Sequence, residues 1–63
     1  MIVIGYSGHA YVACSILTAS GIVVSGYCDH EEKKANPLSL PYIGSENDSA
    51  VQEQLRRAGC FIA

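Results

Sequence analysis

The sequence predicts an α/β fold: a small parallel sheet with helices on both faces. Three observations carry this expectation. Residues 1–4 and 22–27 are short apolar runs rich in β-branched side chains, the stretch between them has apolar residues at helical spacing, and the same alternation returns toward residue 63.

Met1 leads into Ile2, Val3 and Ile4, and Gly5 stops the run, the pattern of a strand buried on both faces. From Gly8 to Ser20 the residues Ala10, Ala13, Cys14 and Leu17 fall at i, i+3, i+4 and i+7, and Gly21 supplies a left-handed stop. Val12 and Ile16 are read as widening this apolar face, and the small residues let the helix approach a sheet closely. Residues 22–27 form the second strand, which a helical crossover places parallel to the first. After Asp29 the chain turns polar, and Pro37 and Pro41 frame a loop of about a dozen residues. Residues 41–44 read as a short edge strand, because proline is tolerated at a strand's first residue.

Ser45 to Asp48 has the S-x-x-[DE] form of a capping box, so a second helix is expected from Ser45. Val51, Leu55 and Ala58 share one of its faces, Arg56 and Arg57 complement its negative end, and Gly59 ends it. Residues 60–63 begin another apolar strand. The expected sheet order is 3-2-1-4, with one helix available for each face.

Sixty-three residues, 49% hydrophobic and 16% charged, make one soluble domain, residues 1–63. A domain this small buries only about 60% of its unfolded surface and is marginal alone. The sheet breaks off after the start of its last strand with no covering helix, so the segment is expected to be the front of a longer protein. The formal charge of −2 leaves no cationic surface for nucleic acid. No apolar run approaches the roughly 20 residues of a membrane span and no basic leader precedes Ile2, so a cytoplasmic location is expected. Cys14, Cys28 and Cys60 are odd in number and widely spaced, and are read as buried, reduced thiols with no disulfide framework and no metal site.

The chemistry lies in the turn between the first strand and first helix. Gly5-Tyr6-Ser7-Gly8-His9-Ala10 occupies the place of the dinucleotide fingerprint G-x-G-x-x-G/A. Gly5 and Ala10 match it, and Ser7 stands at the middle glycine. Free amides and the positive dipole end at a helix N-terminus attract a phosphate without any basic side chain. Asp29, 24 residues after Gly5 at the end of the second strand, is placed like the acidic residue that binds a nucleotide ribose. A tight βα turn with no ligand is the plainer alternative for the same glycines. His9 could touch a phosphate or sugar, or cap the helix. Tyr6 and Tyr11 could line a pocket or pack partly buried. His30 is read as a solvated loop residue, and Lys33 and Lys34 as a solvated charge run.

The segments Ile2 to Ala10, Val24 to Asp29, Pro41 to Gly44 and Cys60 to Ala63, with Ile16, Leu17, Ser20 and Gly21, resemble the N-terminal domain of the sialic-acid O-acetyltransferase type of sugar acyltransferases. That family includes bacterial N-acetyltransferases acting on nucleotide-linked 4-amino sugars. The resemblance implies a small Rossmann-like domain that holds a nucleotide-diphospho-sugar, followed by a left-handed parallel β-helix that trimerises and binds acetyl-CoA. It implies that Gly5, Ser7, Gly8 and His9 face the pyrophosphate and sugar and that Asp29 faces the nucleoside. His30 stands where the family commonly has a second acidic residue. The family's catalytic histidine lies on the β-helix, and residues 1–63 contain no hexapeptide repeat. This segment is therefore assigned substrate-binding residues and no catalytic ones. An NAD(P)-binding domain of an oxidoreductase, which uses the same turn, and a non-catalytic nucleotide-binding module are the competing readings.

Overall fold

A computed structural model describes residues 1–63 as four strands and two helices. In chain order these are β1 (Ile2–Ile4), α1 (Gly8–Ala19), β2 (Gly26–Cys28), β3 (Tyr42–Gly44), α2 (Ser49–Ala58) and β4 (Cys60–Ile62). The strands pair in parallel in the order β3-β2-β1-β4, as the sequence predicts. The chain steps from β1 to β2 in one direction and from β3 to β4 in the other, so right-handed crossovers put α1 and α2 on opposite faces. Neither helix is long and apolar enough to cross a membrane.

Alternation along β1 divides the core. Val3 packs toward α1 with Tyr6, Ala10, Cys14 and Tyr27, while Ile2 and Ile4 pack toward α2 with Cys28 and Val51. Both faces of β1 and β2 are covered, which is why these strands are apolar throughout. The buried residues of α1 are Ala10, Ala13 and Cys14, small side chains that let its axis lie close to the sheet.

Several expectations change. Val12 and Ile16 do not widen the buried face of α1; they are 63% and 62% exposed. At about 100° per residue, Val12 points away from the stripe centred on Ala10 and Ile16 falls beyond its edge. The second strand is Gly26–Cys28 rather than residues 22–27. Its register sets Gly26 opposite Ile2, so residues before Gly26 run past the start of β1, and Val23 is 78% exposed. The second helix starts at Ser49, not Ser45, and its N-cap is Asp48, whose carboxylate accepts the Ala50 N–H at 2.8 Å. Ser45 instead closes a turn in which its carbonyl accepts the Asp48 N–H and its hydroxyl accepts the Asn47 N–H. All three cysteines are free thiols, but Cys60 is exposed, on the edge strand β4.

Candidate functional site

The carboxyl ends of the strands converge on a cleft of about 210 Å³. Ile4 and Gly5 enter its wall from β1, Asp29 and His30 from beyond β2. Ser45, Glu46 and Asn47 close it after β3, and Ile62 and Ala63 close it at β4. The strand order reverses direction between β1 and β4, and such a switch point at the carboxyl edge is where open parallel sheets take ligands. A larger groove of about 770 Å³ flanks the C-terminal half of α1. Its lining, with Cys14, Ile22, Val23, Val24, Leu38 and Leu40, is mostly apolar and includes none of the predicted site residues, whereas the smaller cleft holds Gly5 and Asp29.

Gly5 makes the turn out of β1 at φ +84°, a left-handed conformation that side-chain-bearing residues rarely adopt. Its N–H donates to the Cys28 carbonyl at 2.8 Å, tying the turn to the end of β2. Ser7 is the extended N-cap of α1, its carbonyl accepting the Tyr11 N–H while its hydroxyl makes no cap. The amides of Gly8, His9 and Ala10 meet no acceptor within the chain, as expected for the first turn of a helix whose cap side chain is turned elsewhere. Three free N–H groups and the dipole of a 12-residue helix make an anion-attracting end. A Cβ at Gly8 would find nothing within 4 Å, so the space beside that residue is open. His9 is exposed and neither caps the helix nor bonds to the chain.

Asp29 is the most heavily engaged side chain of the cleft. Its Oδ2 accepts the Tyr6 N–H at 3.1 Å and lies 3.6 Å from Lys33 Nζ; its Oδ1 accepts the His30 N–H at 2.8 Å and lies 2.7 Å from His30 Nδ1. Burial by itself would raise the carboxyl's pKa, but hydrogen bonds from the Tyr6 and His30 amides, with the positive charge of Lys33, outweigh it and hold the pKa below the ordinary aspartate value. Lys33 is thus half-buried over the carboxylate and not merely part of a solvated charge run. His30, though exposed, is turned toward Asp29 at the cleft rather than left free in the loop.

Tyr6 and Tyr11 do not line the cleft. Tyr6 is fully buried, stacked on Tyr27 at 4.3 Å and edge-on to Tyr11 at 5.0 Å. Its hydroxyl donates to Asn36 Oδ1 at 2.6 Å and accepts the Leu38 N–H. The Tyr27 hydroxyl accepts the Lys33 N–H, and the Tyr42 hydroxyl donates to the Asp29 carbonyl at 3.1 Å. Three tyrosines therefore pin the long loop between β2 and β3 against the sheet, which fixes the backbone on which Asp29 and His30 stand. Burial pushes the Tyr6 hydroxyl pKa up, keeping it a neutral donor.

Of the predicted site residues, Gly5 and Asp29 share the cleft wall, and Ser7, Gly8 and His9 follow outside it at the exposed start of α1. Ser45, Glu46 and Asn47 were not foreseen there. The rule that ligands meet the carboxyl ends of parallel strands, applied to residues 42–44, points to them.

Residues 1–63 match the model of the family described as PglD N-terminal domain. Searches of curated proteins and of solved structures return no match. The family match covers every residue that carries the parallel sheet, the Gly5 to Ala10 turn and Asp29, and it agrees with the resemblance seen in the sequence. The chain belongs to the PglD N-terminal domain family, the N-terminal domain of PglD-type sugar acetyltransferases.

Proposed function

We propose that this domain holds the nucleotide-diphosphate end of a nucleotide-linked sugar for acetyl transfer. The observation that carries this reading is the row of unpaired amides at Gly8, His9 and Ala10, which follows the Gly5 turn at the carboxyl edge of the sheet. A cleft of about 210 Å³ is below the roughly 300–1,000 Å³ of a pocket that encloses a whole ligand. The ligand would thus seat one end in the cleft and extend over the exposed start of α1. In this arrangement Gly5, Ser7, Gly8 and His9 attend the pyrophosphate and sugar, and Asp29 stands at the nucleoside end.

The sugar's amine or hydroxyl would attack the thioester carbonyl of acetyl-CoA and give its proton to a general base. The tetrahedral intermediate would collapse with cleavage of the C–S bond, so that the acetyl group stays on the sugar and coenzyme A departs as its thiol with that proton. Acetyl-CoA, that base and the trimer contacts belong in this reading to a β-helix domain outside residues 1–63. The role of residues 1–63 is to bind and orient. Calorimetry on the full chain with a UDP-linked amino sugar, with NAD as the comparison, tests the reading. Binding of the nucleotide sugar, weakened about tenfold or more by Gly8→Val through obstruction of the open space at Gly8, is expected. Tight NAD binding with no response to nucleotide sugars would overturn it in favour of an oxidoreductase domain.

A further inference from the structure

We infer that Asp29 is a positioning residue: its carboxylate holds the Gly5 turn in place through the Tyr6 N–H and is closed to the ribose hydroxyls. A carboxylate offers two oxygens with about four acceptor sites. Here Oδ2 faces the Tyr6 N–H and Lys33 Nζ, and Oδ1 faces the His30 N–H and His30 Nδ1. The side chain is only 11% exposed, so a ribose hydroxyl could reach it only by displacing one of these partners. Tyr6 is buried, and without Asp29 its N–H would have no acceptor, which a buried amide does not tolerate cheaply. Residues Gly5 and Tyr6 immediately precede the N-cap of α1, so the carboxylate sets where the free amides of Gly8 to Ala10 stand.

Electrostatics points the same way. A bare carboxylate beside a phosphate site would repel the ligand, and two backbone amides with the Lys33 ammonium around Asp29 offset that charge. The nucleoside would then be read by the other polar groups of the cleft, and the site would not distinguish ribose from deoxyribose. The ribose statement rests on the nucleotide-binding reading, whereas the bracing of Tyr6 does not depend on it.

The test uses the full chain, with calorimetry of UDP, 2′-deoxy-UDP and 3′-deoxy-UDP and with hydrogen exchange of the Tyr6 amide followed by NMR. In the unmodified protein the three ligands should bind within about twofold of one another. Asp29→Ala should weaken all three by a common factor and accelerate Tyr6 exchange without ligand, and Asp29→Asn, which keeps an acceptor for the amide, should restore most of both. A deoxy penalty of about tenfold that disappears in Asp29→Ala would mean a direct charge-assisted bond to ribose and would overturn the inference. So would Tyr6 exchange that is indifferent to Asp29→Ala. If the unmodified protein binds none of the three nucleotides, the nucleotide reading and the ribose statement fall together, and the Tyr6 exchange rates still decide the bracing.

Discussion

Gly26→Ala should destabilise the sheet at the junction of β2 and β3. Gly26 pairs with Ile2 and lies on the α2 side, where Ile43 of β3 folds over the place its side chain would occupy. A Cβ there would stand 2.6 Å from Ile43 Cδ1, 2.8 Å from Ile43 Cγ1 and 3.0 Å from the Pro41 carbonyl oxygen. The isoleucine can retreat, but only by giving up its packing against the cluster of Ile2, Ile4, Cys28 and Val51. The Pro41 oxygen cannot, because it accepts the Tyr27 N–H at 3.0 Å in the ladder that holds β3 to β2. Overpacking of this kind costs about 1–3 kcal/mol. A chain of this length has roughly 3–9 kcal/mol in total, so the loss is a large fraction. Each kcal/mol should lower the Tm by about 4–8 °C. Thermal unfolding followed by circular dichroism, together with the Ile43→Ala and double variants, measures it. Relief of the clash should make the double variant more stable than the sum of the single losses predicts, by about 0.5–3 kcal/mol. A Gly26→Ala protein as stable as the original would refute the packing described for this edge.

Gly8→Ala should leave the Tm unchanged or slightly raised, since Gly8 has open space around it and a helical residue gains from the smaller entropy of alanine; a marked fall would mean that Gly8 serves the fold. Asp48→Ala should cost about 0.5–2 kcal/mol through loss of the bond to the Ala50 N–H, measured as a shift of the urea midpoint. Because the Asp29 pKa is lowered in the folded state, the stability it contributes is complete above its ordinary value of 3.8 and is lost as the pH falls through the lower folded value. Urea midpoints should therefore fall more steeply on acidification in the unmodified protein than in Asp29→Asn, and parallel curves would contradict this. Alkylation without reductant should label Cys60 first in the folded chain, with Cys14 and Cys28 following only on unfolding, because burial raises their pKa and shields them. Rapid labelling of all three would contradict the core described above.

The sequence by itself determined the parallel α/β order and the position of the glycine turn. Local spacing suffices for these: Ala10, Ala13 and Cys14 repeat at helical period, Gly21 and Gly59 mark helix ends, and the crossover rule leaves few ways to assemble what results. It also brought Gly5 and Asp29 to one edge of the sheet, because both follow parallel strands that run in register. Tertiary structure decided the rest. Strand register exposed Val23 and shortened β2 to three residues, and the angular position of each residue on α1 decided that Ala10 is buried and Val12 is not. The choice of Asp48 over Ser45 as the cap depended on how the chain leaves β3. The partners of Asp29 lie one, four and 23 residues away, and Tyr6 meets Asn36 across 30 residues. No periodicity in sequence encodes a hydrogen bond between a turn amide and a carboxylate from the neighbouring strand; it exists only once the sheet sets the two ends side by side.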